Sequence, residues 1–137
     1  MIRKMNSSDL DTVMQIWFDG NCDAHSFIPR SYWEKQRPAV RAAIKRAEVY
    51  CFIDGTGIVR GFIGLTGDYI AGLFVSAGFR NCGIGHQLLN FAKKGHDQLE
   101  LAAYRQNQQA IKFYQHNDFV ITRQTSAELR MAWSINK

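Results

Sequence analysis

Arg80, Gly83 and Gly85 fall in the segment FRNCGIGHQLL, residues 79–89, where a loop gives way to a helical pattern. These types at this spacing suit one task, the holding of an anion. A helix N-terminus carries unsatisfied N–H groups and a partial positive charge, a combination that binds phosphate. Glycine lets the backbone approach the anion and take positive φ. Arginine adds a fixed cation with a forked set of donors. Two familiar phosphate loops do not fit. The Walker loop needs Lys and Ser or Thr after its last glycine, and here His86 and Gln87 follow Gly85. The dinucleotide fingerprint needs a third glycine where Leu88 stands. By itself the Gly-x-Gly pattern is equally an ordinary turn.

Other reactive side chains are sparse. His25, His86, His96 and His116 have no metal-ligand spacing, so no metal site is expected. His96 and His116 read as solvated surface residues. Cys22, Cys51 and Cys82 are odd in number and far apart, which argues against a disulfide framework and for a reducing compartment. The segment NCDAHSFIPRSYW, residues 21–33, gathers His25 with Phe27, Tyr32 and Trp33. Aromatic walls beside a histidine suit an amine on an apolar stem.

The elements that must position these residues follow from periodicity. MIRKM alternates as a short strand. Ser7 or Ser8 can cap a helix whose stripe is Leu10, Val13, Met14 and Trp17. GNCDAHSFIPR reads as a loop, and SYWEKQRPAVRAAIKRA as a helix that Pro38 must kink or restart. EVYCFID and IVRGFIGL flank the turn DGTG and form a hairpin. YIAGLFV is a strand. The helix after the glycines has Ile84, Leu88, Phe91 and Ala92 on its apolar face and stops at Gly95. QLELAAY is a strand, NQQAIKFYQHN a helix that Asn107 can cap, and DFVITRQ and ELRMAWSI are closing strands. The order is β-α-α-β-β-β-α-β-α-β-β, an α/β domain spanning residues 1–137.

Bulk properties narrow the class. At 137 residues and 46% apolar, the chain can bury a core without metals or disulfides. No apolar run follows the early basic residues, so a signal peptide is not expected, nor is a membrane span. A cytoplasmic protein with no membrane partner is the expectation. The net charge of +5 favours anionic partners, but the basic residues are scattered, with no nucleic-acid recognition motif. Nucleic acid is therefore not expected as a partner.

Two segments together resemble the GCN5-related N-acetyltransferase (GNAT) family. LFVSAGFRNCGIGHQLL is similar to its acetyl-CoA motif, an apolar strand and then Arg-x-x-Gly-x-Gly opening a helix. NQQAIKFYQHNDF is similar to its later Asn-x-x-Ala-x-x-Phe-Tyr motif, in the expected order and at the expected separation. IWFDGNCDAHSFIPRSYW is similar to a bacterial subgroup of protein and peptide amine acetylases. The resemblance implies a mixed, mostly antiparallel sheet of about seven strands flanked by about four helices. It implies acetyl-CoA as co-substrate. The pantetheine arm would lie along Leu73, Phe74 and Val75, by strand addition. The pyrophosphate would meet the N–H groups of Asn81, Cys82, Gly83, Ile84, Gly85 and His86, with Arg80 beside it. Asn107 would contact the cofactor arm, or serve only as the helix cap. Tyr114 would protonate the departing thiolate, or be an inert amphipathic tyrosine. His25 would stand in the wall of the acceptor site as a candidate catalytic group.

One position departs from the family. Several relatives carry a glutamate as general base where this chain has Ala102. Glu100 lies two residues earlier. Deprotonation of an amine with a pKa near 10.4 then falls to a water chain, His25, Asp68 or bulk solvent. The leading expectation is transfer of acetyl to a primary amine by direct attack in a ternary complex. A protein lysine or a peptide N-terminus is the preferred acceptor and a small amine the alternative, with the enzyme a monomer or homodimer. The competing expectation, prompted by Ala102, is a CoA-binding sensor without turnover.

Overall fold

In the computed structural model, which describes residues 1–136, each apolar pattern finds a sheet face to cover. The strands are β1 (Ile2–Lys4), β2 (Glu48–Ile53), β3 (Val59–Thr66), β4 (Tyr69–Val75), β5 (Gln98–Tyr104), β6 (Val120–Gln124) and β7 (Glu128–Ser134). The helices are α1 (Leu10–Ala24), α2 (Arg30–Arg46), α3 (Ile84–Lys94) and α4 (Gln108–His116), with a 3-10 turn at Ser7–Asp9. The element order is the one the periodicity implies. The strands form one sheet in the order β1-β2-β3-β4-β5-β7-β6, antiparallel except between β4 and β5. Among the described residues no helix is long and apolar enough to cross a membrane.

Each sheet face has its own core. On one, Ile84, Leu88, Leu89 and Ala92 of α3 and Ile111 and Tyr114 of α4 pack against Ile63, Leu65, Leu99 and Met131. On the other, Val13, Trp17 and Phe18 of α1 and Trp33 of α2 pack against Val49, Cys51 and Phe62.

Local chemistry revises four sequence expectations. Asn6, not Ser7 or Ser8, caps the first turn: its side chain accepts from Ser8 N–H, and Asp9 reaches back to Asn6 N–H at 2.9 Å. This is a capping box built on Asn, and Arg3 holds Asp9 by two bonds of 2.7 and 3.1 Å. The supposed loop GNCDA is instead the last turn of α1. Gly20 there admits a neighbour, because a Cβ on it would lie 2.6 Å from Phe74 Cδ1. Pro38 sits inside one helix and starts no new one. Both Pro38 and Glu34, whose carbonyl loses its helical donor, are exposed, so water can replace the missing bond. The buried face of α3 uses Leu89 where Phe91 was expected; Phe91 is partly exposed and stacks on Tyr50 with ring centroids 4.8 Å apart.

The join between β4 and β5 matters most for function. A single register pair, Tyr69↔Glu100, links the two strands before they part. Upstream, β4 pairs fully with β3, except that Gly64↔Gly72 is followed by Leu65↔Ile70. Ala71 is thus an extra, unpaired residue, a β-bulge that bends the strand and shifts its alternation by one. Beyond the bulge, β4 leaves β5 and its edge lies open.

Candidate active site

The open edge has a definite polarity. Gly61 faces Val75, and the next pair carries the bond from Ser76 N–H to Arg60 O at 2.7 Å. Backbone groups alternate sides along a strand, so those of Leu73 and Val75 point into the gap and those of Phe74 point to β3. Leu73 and Val75 therefore turn backbone groups without a strand partner into the gap between β4 and β5, and of these the Val75 carbonyl accepts from Arg80 Nε at 3.0 Å. Phe74 turns its ring toward Gly20 of α1 and Phe62 of β3.

At the end of that edge the chain enters the glycine loop. Gly78, Asn81 and Gly83 all take positive φ, at 85°, 63° and 83°. Gly83 is the N-cap of α3, and the first helical bond runs from Gln87 N–H to Gly83 O at 3.0 Å. The N–H groups of Ile84, Gly85 and His86 thus have no partner within the helix. A Cβ on Gly83 would meet nothing within 4 Å, so glycine is required there for conformation and not for space. Gly85 is different: a Cβ there would lie 3.3 Å from Phe113 Cζ, so this glycine lets α4 approach α3. The Ile84 side chain is buried in the core, leaving its backbone to face the loop. The Cys82 side chain is exposed, with Sγ 3.6 Å from Arg80 O.

His86 has a busy ring. Asn117 Nδ2 donates to Phe113 O, which makes Asn117 Oδ1 the acceptor for His86 Nδ1–H at 2.6 Å. Nε2 then accepts from Asn90 at 2.9 Å. The ring ties α3 to the end of α4 and leaves the backbone N–H as what His86 offers the cradle.

Arg80 is turned away from the helix end. Its Nε donates to Val75 O at 3.0 Å, and its Nη1 lies 3.2 Å from Asp23 Oδ2 on α1. Asp23 is a site neighbour that sequence reasoning had not paired with the cradle.

Tyr114 is buried in the core beneath α4, with ring contacts to Phe113 and Phe119 at 5.2 and 5.4 Å. Burial pushes its phenol well above the ordinary value, so the hydroxyl is neutral at physiological pH and available as a hydrogen-bond donor.

On the other side of the mouth, His25 and Asn107 meet across 82 residues of sequence. Asn107 Oδ1 accepts from Ala110 N–H at 3.2 Å, so Asn107 is indeed the cap of α4. Its Nδ2 faces His25 Nε2 at 3.3 Å, which makes Nε2 the acceptor and Nδ1 the protonated nitrogen. His25 is only 6% exposed, and burial lowers its pKa, so the ring is neutral at physiological pH. The ring is surrounded by Tyr104, Trp33 and Phe27, with centroids at 4.8, 5.5 and 5.7 Å. Two polar atoms of this wall, His25 Nδ1 and Trp33 Nε1, are buried without a partner among the described residues.

Tyr104 is the wall residue that sequence reasoning missed. It lies two residues beyond Ala102 and so shares its sheet face, and that alternation was the available signal. Burial, with the nearby Tyr32 and Glu128, raises its phenol pKa.

One suggested proton acceptor lies elsewhere. Asp68 is held by His96 at 2.8 Å and by Gln98, at the closed end of the β4–β5 join, and His96 is accordingly half-buried and paired, not solvated. Glu100 sits at that same closed end, opposite Tyr69. A cavity of about 540 Å³ is lined by Glu100, Asp118, Phe119 and Trp133.

The β4–β5 pair is splayed, a left-handed glycine opens α3 and a tyrosine is buried on α4. The sequence model for the acetyltransferase (GNAT) domain matches residues 45–121, which contain all three. This chain belongs to the GNAT family. It is an acetyltransferase, and acetyl-CoA is its acetyl donor. It is 32% identical over 122 residues to the peptidyl-lysine N-acetyltransferase YiaC of Escherichia coli, covering 88% of this chain and 84% of YiaC. The apo-form solution structure of YjaB from Escherichia coli superposes with a TM-score of 0.86 at 23% identity, covering 97% of this chain and 96% of YjaB. The PaiA N-acetyltransferase of Thermoplasma acidophilum, crystallised with coenzyme A, also gives 0.86, at 20% identity and 98% coverage of both chains.

Proposed function

We propose that this acetyltransferase acetylates the side-chain amine of a lysine in a protein or peptide, by direct attack on the thioester within a ternary complex. The observation that carries the reading is the aromatic wall of Phe27, Trp33 and Tyr104 around a neutral His25 at the open end of the groove. Aromatic faces suit the four-carbon stem of lysine, and the unmet polar atoms on the wall suit a polar group carried in with it. The name of YiaC, a peptidyl-lysine N-acetyltransferase, supports the same acceptor class.

Each residue has a place in the step. Leu73 and Val75 hold the donor's amide-bearing arm by the backbone groups that face the gap, the Val75 carbonyl once Arg80 has released it. The N–H groups that open α3, with Gly83 and Arg80, hold its diphosphate. The neutral amine attacks the thioester carbonyl, the C–N bond forms, and the C–S bond breaks. The thiolate leaves toward Tyr114, whose neutral phenol donates a hydrogen bond to it, and the net reaction carries one proton from the amine to the thiol. The proton lost from the amine passes toward the wall, where His25 Nε2 carries a lone pair engaged only by the long contact to Asn107. Ala102 contributes no base.

The test is transfer from acetyl-CoA to N-terminally blocked lysine peptides, free peptides, polyamines and amino acids, with release of free thiol as the readout. Blocked lysine peptides should react, and initial-rate plots should intersect, as a ternary complex requires. His25→Ala should lower transfer and spare acetyl-CoA binding. Parallel plots, or reaction confined to small amines, refute the proposal. Because Ala102 replaces a carboxylate, a CoA-binding sensor is the second reading; tight acetyl-CoA binding in calorimetry with no transfer to any amine would select it.

A further inference from the structure

Arg80 is expected to serve the diphosphate, yet its guanidinium is turned the other way, toward Asp23 and the carbonyl of Val75. Both partners carry meaning. The Val75 carbonyl belongs to the open edge of β4 on which the donor's arm must pair. Asp23 stands two residues before His25, where α1 ends beside the aromatic wall. One side chain therefore covers a donor-binding group and neutralises an acceptor-side carboxylate at the same time.

We propose that Asp23 is a specificity-determining residue for the acceptor. It recognises a basic side chain flanking the reacting lysine, and Arg80 masks it until acetyl-CoA binds. The inference rests on the peptidyl-lysine reading above. The magnitudes favour exchange. The two side chains are 39% and 52% exposed, and an exposed pair contributes only about 0.2–1 kcal/mol. A diphosphate held by free helix N–H groups offers Arg80 stronger, charge-assisted partners. When Arg80 turns to it, the Val75 carbonyl is freed for the donor and the Asp23 carboxylate is left unpaired at the acceptor mouth. In a chain of net charge +5, an exposed carboxylate there is a local attraction for a basic flank that the overall field would otherwise repel. The reacting amine itself is not its target. It must lose its proton, and an adjacent carboxylate would hold that proton on.

Two measurements on Asp23→Asn test this. In calorimetry, the variant should bind acetyl-CoA more tightly by about 1.4- to fivefold, the factor that an exposed pair corresponds to. The gain should vanish in an Arg80→Gln background. In kinetics, two N-terminally blocked peptides with one lysine are compared, one flanked by Arg and the other by Gln. The wild type should favour the Arg peptide in kcat/KM by up to about fivefold. Asp23→Asn should bring the ratio close to one, and Asp23→Glu should restore it. Equal or weaker acetyl-CoA binding by Asp23→Asn overturns the proposal, and so does an unchanged flank preference. If the wild type acetylates no blocked lysine peptide, the acceptor reading falls and this inference falls with it. If it does so with a flank preference that ignores Asp23, this inference alone falls.

Discussion

Gly83 and Gly85 read alike in the sequence, yet they have different physical duties. At Gly83 the backbone is left-handed with open space around it, so a side chain is strained by conformation and not by contact. Gly83→Val should leave most of the fold in place and abolish acetyl-CoA binding measured by calorimetry. At Gly85 the backbone has no such strain, and a methyl group would only crowd the tip of the Phe113 ring. Gly85→Ala should therefore retain measurable affinity; equal affinities for the two variants would contradict this division of labour. Tyr114 is the other side chain to which the proposed step assigns a role. Its buried phenol holds its proton, as a donor to a leaving thiolate must. Tyr114→Phe should lower turnover by roughly 10²-fold, the scale of acid–base assistance, with acetyl-CoA affinity nearly unchanged. Wild-type turnover on a good acceptor would reduce the residue to packing.

Strand β4 is shaped by an element that does not touch the ligand edge. Phe74 lies between Phe62 and the glycine at position 20 of α1, and a Cβ on Gly72 would lie 3.0 Å from the other edge of its ring. With glycines on two sides and an aromatic ring on a third, the half-buried ring has little room on its inner side. Gly20→Ala gains about 1 kcal/mol of helix propensity. It also forces a methyl group into the ring, and overpacking costs about 1–3 kcal/mol. The expected result is a lower thermal midpoint with weakened acetyl-CoA binding, because the strain passes to the strand that carries Leu73 and Val75. A variant as stable as the wild type would show that the ring moves freely. The same glycine explains what local pattern could not disclose. Strand and helix order followed from periodicity, because each element buries one face against the sheet. The last turn of α1 did not, because Gly20 reads as a helix stop, and the reason for it is a ring on a distant strand. Pro38 likewise reads as a break, while its tolerance depends on the exposed side of a finished helix. In the site, the cradle and Tyr114 were legible because each lies within one continuous segment. The contacts of Tyr104 with His25 and of Asp23 with Arg80 join segments far apart in the chain, and only the folded sheet brings them together.

The bond between His25 and Asn107 closes the molecule across its groove, tying the end of α1 to the start of α4. Folding buries that histidine and lowers its pKa below the ordinary value near 6.5, with desolvation as the main cause. The unfolded chain therefore takes up a proton that the native state resists. The stability contributed by keeping His25 neutral is present above the unfolded pKa. It is lost as pH falls through about 6.5 toward the lower native value. Asp9 and Asp54 also have depressed pKa values, through Arg3 for the one and Thr56 with Arg60 for the other. Their stabilisation is lost only at more acidic pH, as the solution nears the ordinary carboxylate range, which separates the two windows. Urea unfolding of the wild type between pH 7.5 and 5.5 should thus show stability falling with acidity. The slope should be at most about 1.4 kcal/mol per pH unit, the limit for one proton. His25→Gln, which cannot titrate, should lose that component and show a flatter profile over the same range. If the two profiles run parallel from pH 7.5 to 5.5, His25 is not protonated more readily in the unfolded chain. The sealed wall inferred from its burial would then have to be open to water.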